Sequence, residues 1–173
     1  MFPALLLLIV IINQVNAPLS MLPWGPEPDM ALIVAVHAGL HYAPAGAAAL
    51  GFGAGLLQEI LAGGLIGVGA LSKGLTGLFW ARQWRHVVAE GVLVQLPLLA
   101  VLTIVDGLAF FTASKLLAAS AASWDVLLPT LARQLLSNLI VGPVLLKGFA
   151  VVQGKLRQGL RARRRGHEPT LTY

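Results

Sequence analysis

From Gly51 to Phe79 the chain reads GFGAGLLQEILAGGLIGVGALSKGLTGLF, apolar enough for a bilayer yet studded with glycine. At helical spacing the small residues fall into rows. Gly63, Gly67, Ala70, Gly74 and Gly77 follow one another at steps of four, three, four and three, which predicts a single helix face. Ala47, Gly51, Gly55 and Glu59 form a second row at steps of four. Phe52, Leu56, Ile60, Leu71, Leu75 and Leu78 occupy the opposite faces. Lipid tails are as apolar as leucine, so helices in a membrane associate by close packing, and small residues let their backbones approach. Two grooved helices are therefore expected, internally packed and joined by a glycine turn at Ala62-Gly63-Gly64. The acidic corner Gln58-Glu59 lies near the tip of this hairpin.

The rest of the chain agrees with a bilayer. Charged residues make up 11% of the 173 and apolar ones 57%, whereas a soluble domain carries about 25% charged residues. The reading is an all-α integral membrane protein with no soluble domain. It contains no cysteine, which excludes disulfides and thiolate metal sites. The net charge of +5 arises largely from Lys155, Arg157, Arg161, Arg163, Arg164 and Arg165. Beside a membrane span such a cluster reports topology and contact with anionic lipid, not nucleic acid. The N-terminus, FPALLLLIVII followed by NQVNA, mimics a signal peptide but lacks a basic leader, so it is read as a retained first span.

Six short spans are expected. The first starts at about Phe2. A loop, MLPWGPEPD, leads to Pro28-Asp29, where Asp29 can cap the second span, which ends near Tyr42. The third covers about Pro44–Leu61, the fourth Leu65–Trp80, the fifth His86–Phe111 and the sixth Leu127–Val152. The rival arrangement fuses spans two and three into one helix kinked at Pro44, giving five. Six spans place Arg82, Arg85, Lys147 and the basic tail on the cytoplasmic side with both termini, as the positive-inside bias requires. Thr112–Trp124 is expected as an interfacial segment on the outer face. Residues 1–153 form the membrane domain and 154–173 a juxtamembrane tail. Within the tail, Val152, Leu156 and Leu160 continue an apolar stripe that suits a helix on the inner leaflet.

The polar groups at membrane depth are few. Asp106 and Arg133 fall on the outer half, and Lys73 and Glu90 on the inner half, so each couple is a candidate buried ion pair. Glu59 is either a corner that satisfies loop amides, the favoured reading, or a proton or ion site. His37 and His41, four apart, have metal-ligand spacing but no evident third ligand, and read as buried or interfacial histidines. No nucleophile with a base and no phosphate loop is evident, and no cofactor is expected.

Taken together, a first span, Pro28-Asp29, G-x-x-x-G-L-L-Q-[DE] and G-x-x-G-x-G-A-L resemble the rod-shape-determining MreD family. The matching residues are Gly51, Gly55, Leu56, Leu57, Gln58, Glu59, Gly64, Gly67, Gly69, Ala70 and Leu71. Glu59 stands where that family usually has aspartate, and the tail beyond Lys155 adds nothing to the match. The resemblance implies a non-enzymatic subunit of the bacterial inner membrane in the cell-wall elongation complex. Its partners would be the single-span scaffold MreC and, through it, MreB, a RodA-type glycosyltransferase and a class B penicillin-binding protein. It also implies a six-helix fold similar to the substrate-binding subunits of energy-coupling-factor transporters, and hence an alternative role as a small-molecule-binding transporter subunit. Ala4 followed by Leu8, in place of the A-x-x-x-A patch of those subunits, argues against the alternative.

Overall fold

The computed structural model describes residues 2–16, 28–63, 66–83, 92–118 and 124–165. Among these, helix is the only regular secondary structure. The elements are α1 (Phe2–Asn16), α2 (Met30–His41), α3 (Pro44–Ala62), α4 (Val68–Gln83), α5 (Val92–Ala118) and α6 (Trp124–Arg165).

Three of these helices contain stretches long and apolar enough to cross a membrane: Pro44–Ala62, Leu96–Ala113 and Leu127–Leu156. Large apolar side chains such as Ile66, Leu71, Leu75, Leu116, Ile140 and Val144 are exposed. Apolar surface of this extent fits lipid rather than water, and the chain is a helical membrane protein. The expected count of six spans is not reached on length. α1, α2 and α4 have 15, 12 and 16 residues, below the roughly 17 that a full span needs.

α2 sits at the centre of the fold. Every residue from Ala31 to Gly39 is buried, which explains why its sequence is apolar all round. At about 1.5 Å per residue its 12 residues reach about 18 Å, near half a bilayer. It turns at Tyr42-Ala43 and α3 packs back alongside it, with a Cβ at Gly51 lying 3.2 Å from that of Ala35. Spans two and three are thus separate helices and not one kinked rod. α2, α3 and α4 form a compact unit, α1 adds to it, and α5 with α6 forms a second hairpin.

Glycine sets the spacing of the first unit. A methyl group on Gly55 would lie 2.7 Å from Ala70 Cα, one on Gly77 2.5 Å from the Ala47 carbonyl oxygen, and one on Gly51 would strike the Lys73 carbonyl. These are backbone-to-backbone contacts between α3 and α4, so the rows do pack internally. A methyl group on Gly74 would lie 3.2 Å from Phe52 Cβ. The predicted row from Gly63 to Gly77 is wrong at its start. Gly63 and Gly67 have φ of 66° and 109° and lie in the α3–α4 connection, with α4 starting only at Val68. A chain reversing after a helix needs the left-handed region, which glycine reaches without a Cβ penalty.

Two boundaries also move. α5 continues through Thr112 to Ala118, so residues 112–118 of the expected interfacial segment are the last turns of a helix, and residues 119–123 lie outside the described residues. Thr112 returns its hydroxyl to the Leu108 carbonyl and Lys115 stands 5.1 Å over the Phe111 ring. α6 is one helix of 42 residues that runs through the expected tail boundary and carries Lys155, Arg157, Arg161, Arg163, Arg164 and Arg165 in its final turns. The loop with Trp24 and Glu27, the segment with Arg85, His86 and Glu90, and the terminus from Gly166 lie outside the described residues.

Candidate functional site: a buried charge cluster

The polar residues of four helices meet at one place. Asp29 ends the connection before α2 and caps that helix: its Oδ1 accepts from the Leu32 N–H at 2.9 Å. Carboxylate at a helix N-terminus is favoured by the unpaired N–H groups and the helix dipole. The other oxygen, Oδ2, lies 3.2 Å from Lys73 Nζ of α4 and accepts from Gln134 Nε2 of α6 at 3.3 Å. Lys73 reaches a second carboxylate as well, Asp106 Oδ2 on α5, at 3.0 Å. Asn138 of α6 accepts from the Asp29 backbone N–H at 2.8 Å and donates to Thr103 of α5 at 2.9 Å. The Thr103 hydroxyl in turn donates to the Leu99 carbonyl at 2.7 Å. Asp29, Lys73, Thr103, Asp106 and Asn138 are all buried.

The cluster lies at membrane depth. Thr103 and Asp106 fall inside the apolar stretch Leu96–Ala113, and Gln134 and Asn138 inside Leu127–Leu156. α2 therefore begins within the apolar zone, with its first N–H groups capped by a carboxylate that is itself paired. Lipid offers no hydrogen bonds, so a helix end at that depth requires protein partners.

One of the two expected ion pairs needs correction. Asp106 pairs with Lys73, not Arg133, which is exposed on α6 and returns its Nε to the Pro129 carbonyl at 3.4 Å. The face of α6 that meets the cluster carries Gln134 and Asn138 instead. Lys73 takes Asp29 and Asp106, and its expected partner Glu90 lies outside the described residues. Depth matching from sequence put Lys73 and Asp106 in opposite halves of the membrane, yet they meet at 3.0 Å, because hydropathy fixes neither the depth of a short helix such as α4 nor the face it turns inward.

Glu59 is the corner that one of the two sequence readings expected. From the last turns of α3 its carboxylate accepts from the backbone N–H groups of Gly67 at 2.7 Å, of Gly69, and of Ala70 at 3.4 Å. These are N–H groups at the start of α4, where a helix has donors to spare. Gly69 is what lets the corner close. A methyl group there would sit 3.0 Å from Glu59 Oε1 and 3.5 Å from Lys73 Nζ. Gln58 beside it is half-buried.

His37 is buried within a ring of aromatic groups: Phe2 of α1, His41 of α2 and Phe149 of α6, at centroid distances of 5.6, 4.3 and 5.4 Å. Among the described residues, no group of three or more acidic or histidine side chains could hold a metal. On the outer side of α3 and α4 an apolar groove of about 320 Å³ runs past Ala48, Phe52, Gly74, Leu75 and Leu78.

Sequence reasoning missed Gln134, Asn138 and Thr103. A signal was present: Gln134 and Asn138 are four apart in an apolar span, and Thr103 and Asp106 three apart in another, so each couple shares a helix face. No family model, curated protein or solved structure matches the chain.

Proposed function

We propose that the protein is a non-enzymatic scaffold subunit of the complex that elongates the side wall of rod-shaped bacteria, of the MreD kind, seated in the inner membrane with both termini in the cytoplasm. One coincidence supports this reading. Several of the residues that carry the resemblance also hold the packing: Gly51 and Gly55 bring α3 onto α4, Glu59 closes the α3–α4 corner, Gly69 leaves room for it, and Asp29 caps α2 and pairs with Lys73. A motif whose members bring backbones together and satisfy buried N–H groups is a motif for architecture. In this reading the partner is a single-span MreC-type scaffold, through which a RodA-type glycosyltransferase, a class B penicillin-binding protein and MreB are engaged.

Purification of the tagged full chain from its host, with identification of co-purifying membrane proteins, tests the proposal. A single-span periplasmic scaffold should be retained, and depletion should turn rods into spheres. Retention of an ATPase pair with no change in cell shape would overturn it and move the reading to a transporter subunit.

A further inference from the structure

The cluster is asymmetric in its hydrogen bonds. Asp29 uses both oxygens, accepting from the Leu32 N–H, Gln134 Nε2 and Lys73 Nζ. Asp106 accepts from Lys73 on Oδ2, while its Oδ1 is buried and meets no hydrogen-bond donor among the described residues. The residue is 5% exposed. The groups around the two carboxyls come from every neighbouring element: Lys73 from α4, with Ser72 beside Asp106; Thr103 from α5; Gln134 and Asn138 from α6. Glu59 of α3 stands across Gly69, with its charge already met by backbone N–H groups.

Two carboxylates facing one ammonium leave a net negative charge in an apolar, lipid-surrounded bundle, where uncompensated charge is strongly disfavoured. A single proton resolves this. Placed on Asp29 it would displace a donor already in position. Placed on Asp106 Oδ1 it displaces nothing and keeps the Lys73 bond to Oδ2. We propose that the Asp29–Lys73–Asp106 cluster is a proton-binding site, with Asp106 Oδ1 as the atom that holds the proton. The proton comes from hydronium in the surrounding solvent, which is left as water, and the carboxylate becomes a carboxylic acid. The cluster passes from one net negative charge to none. This inference is independent of the scaffold reading.

Solid-state NMR of the full chain in lipid nanodiscs, with the aspartate side-chain carboxyls labelled with carbon-13, tests it. The chain has Asp29, Asp106 and Asp125 and no other aspartate. At neutral pH one of these signals should be that of a carboxylic acid and the others carboxylates, and raising the pH should convert the acid signal. Asp125→Asn should leave the acid signal in place. Asp106→Glu should remove it from the aspartate spectrum, because the unlabelled glutamate then holds the proton. Carboxylate signals alone in the neutral wild-type spectrum would overturn the proposal without any variant. An aspartate acid signal that survives Asp106→Glu would overturn the assignment to Asp106.

Discussion

Lys73 is the residue on which most charge depends, since two buried carboxylates face its ammonium. Removing one member of a buried pair leaves an unpaired charge behind, at about 3–5 kcal/mol. Lys73→Met should therefore lower unfolding stability in detergent by at least that much. Arg133 makes the contrast, being exposed and away from Asp106. Arg133→Ala should change stability by less than about 0.5 kcal/mol in the same assay. Equal losses in the two variants would mean that Asp106 pairs with Arg133 after all. The Glu59 carboxylate tests the corner in the same way. Glu59→Gln keeps one acceptor oxygen and turns the other into an amide donor facing backbone N–H groups. It should cost about 1–3 kcal/mol.

At the scale of the helix, glycine has different consequences at neighbouring positions of α3. Gly51 faces the α4 backbone, and an added methyl group would strike the Lys73 carbonyl; Gly53, two residues on, has nothing within 4 Å of where its Cβ would be. Gly51→Ala should lose about 1–3 kcal/mol through overpacking. Gly53→Ala should gain about 0.5–1 kcal/mol, because alanine loses less backbone freedom on entering a helix. Thermal denaturation of the two variants in one detergent checks the sign of each. Equal effects would mean that α3 and α4 are not in backbone contact. Gly67 is a different case, held at φ 109° in the turn. Its open surroundings do not relieve the backbone strain a side chain would bring there, so Gly67→Ala should also destabilise, by about 1–3 kcal/mol.

Across the whole molecule, the α1–α4 unit and the α5–α6 hairpin meet through the charge cluster and the flanking apolar contacts of Trp80, Leu99 and Leu146. α5 and α6 fix the topology relative to the bilayer. Gln83 precedes α5, Lys115 lies near its far end, and Lys155 lies at the end of the apolar stretch of α6; all three are exposed. Single cysteines at 83 and 155 should react with an impermeant reagent from one side of the membrane, and one at 115 from the other. Reaction of all three from the same side would rule out a crossing by α5. The sequence by itself determined the helical, membrane-embedded class, the Asp29 cap and the glycine-mediated approach of α3 to α4, because each depends on local spacing and composition; between its two readings of Glu59 only the structure decided. The sequence did not determine that α2 is a short buried helix, that Gly63 and Gly67 belong to a turn, or that Lys73 joins Asp29 to Asp106. The ion pairs depend on how helices are rotated about their axes. Hydropathy leaves that rotation open, and it is set only when the small-residue faces of α3 and α4 lock together and carry Lys73 inward.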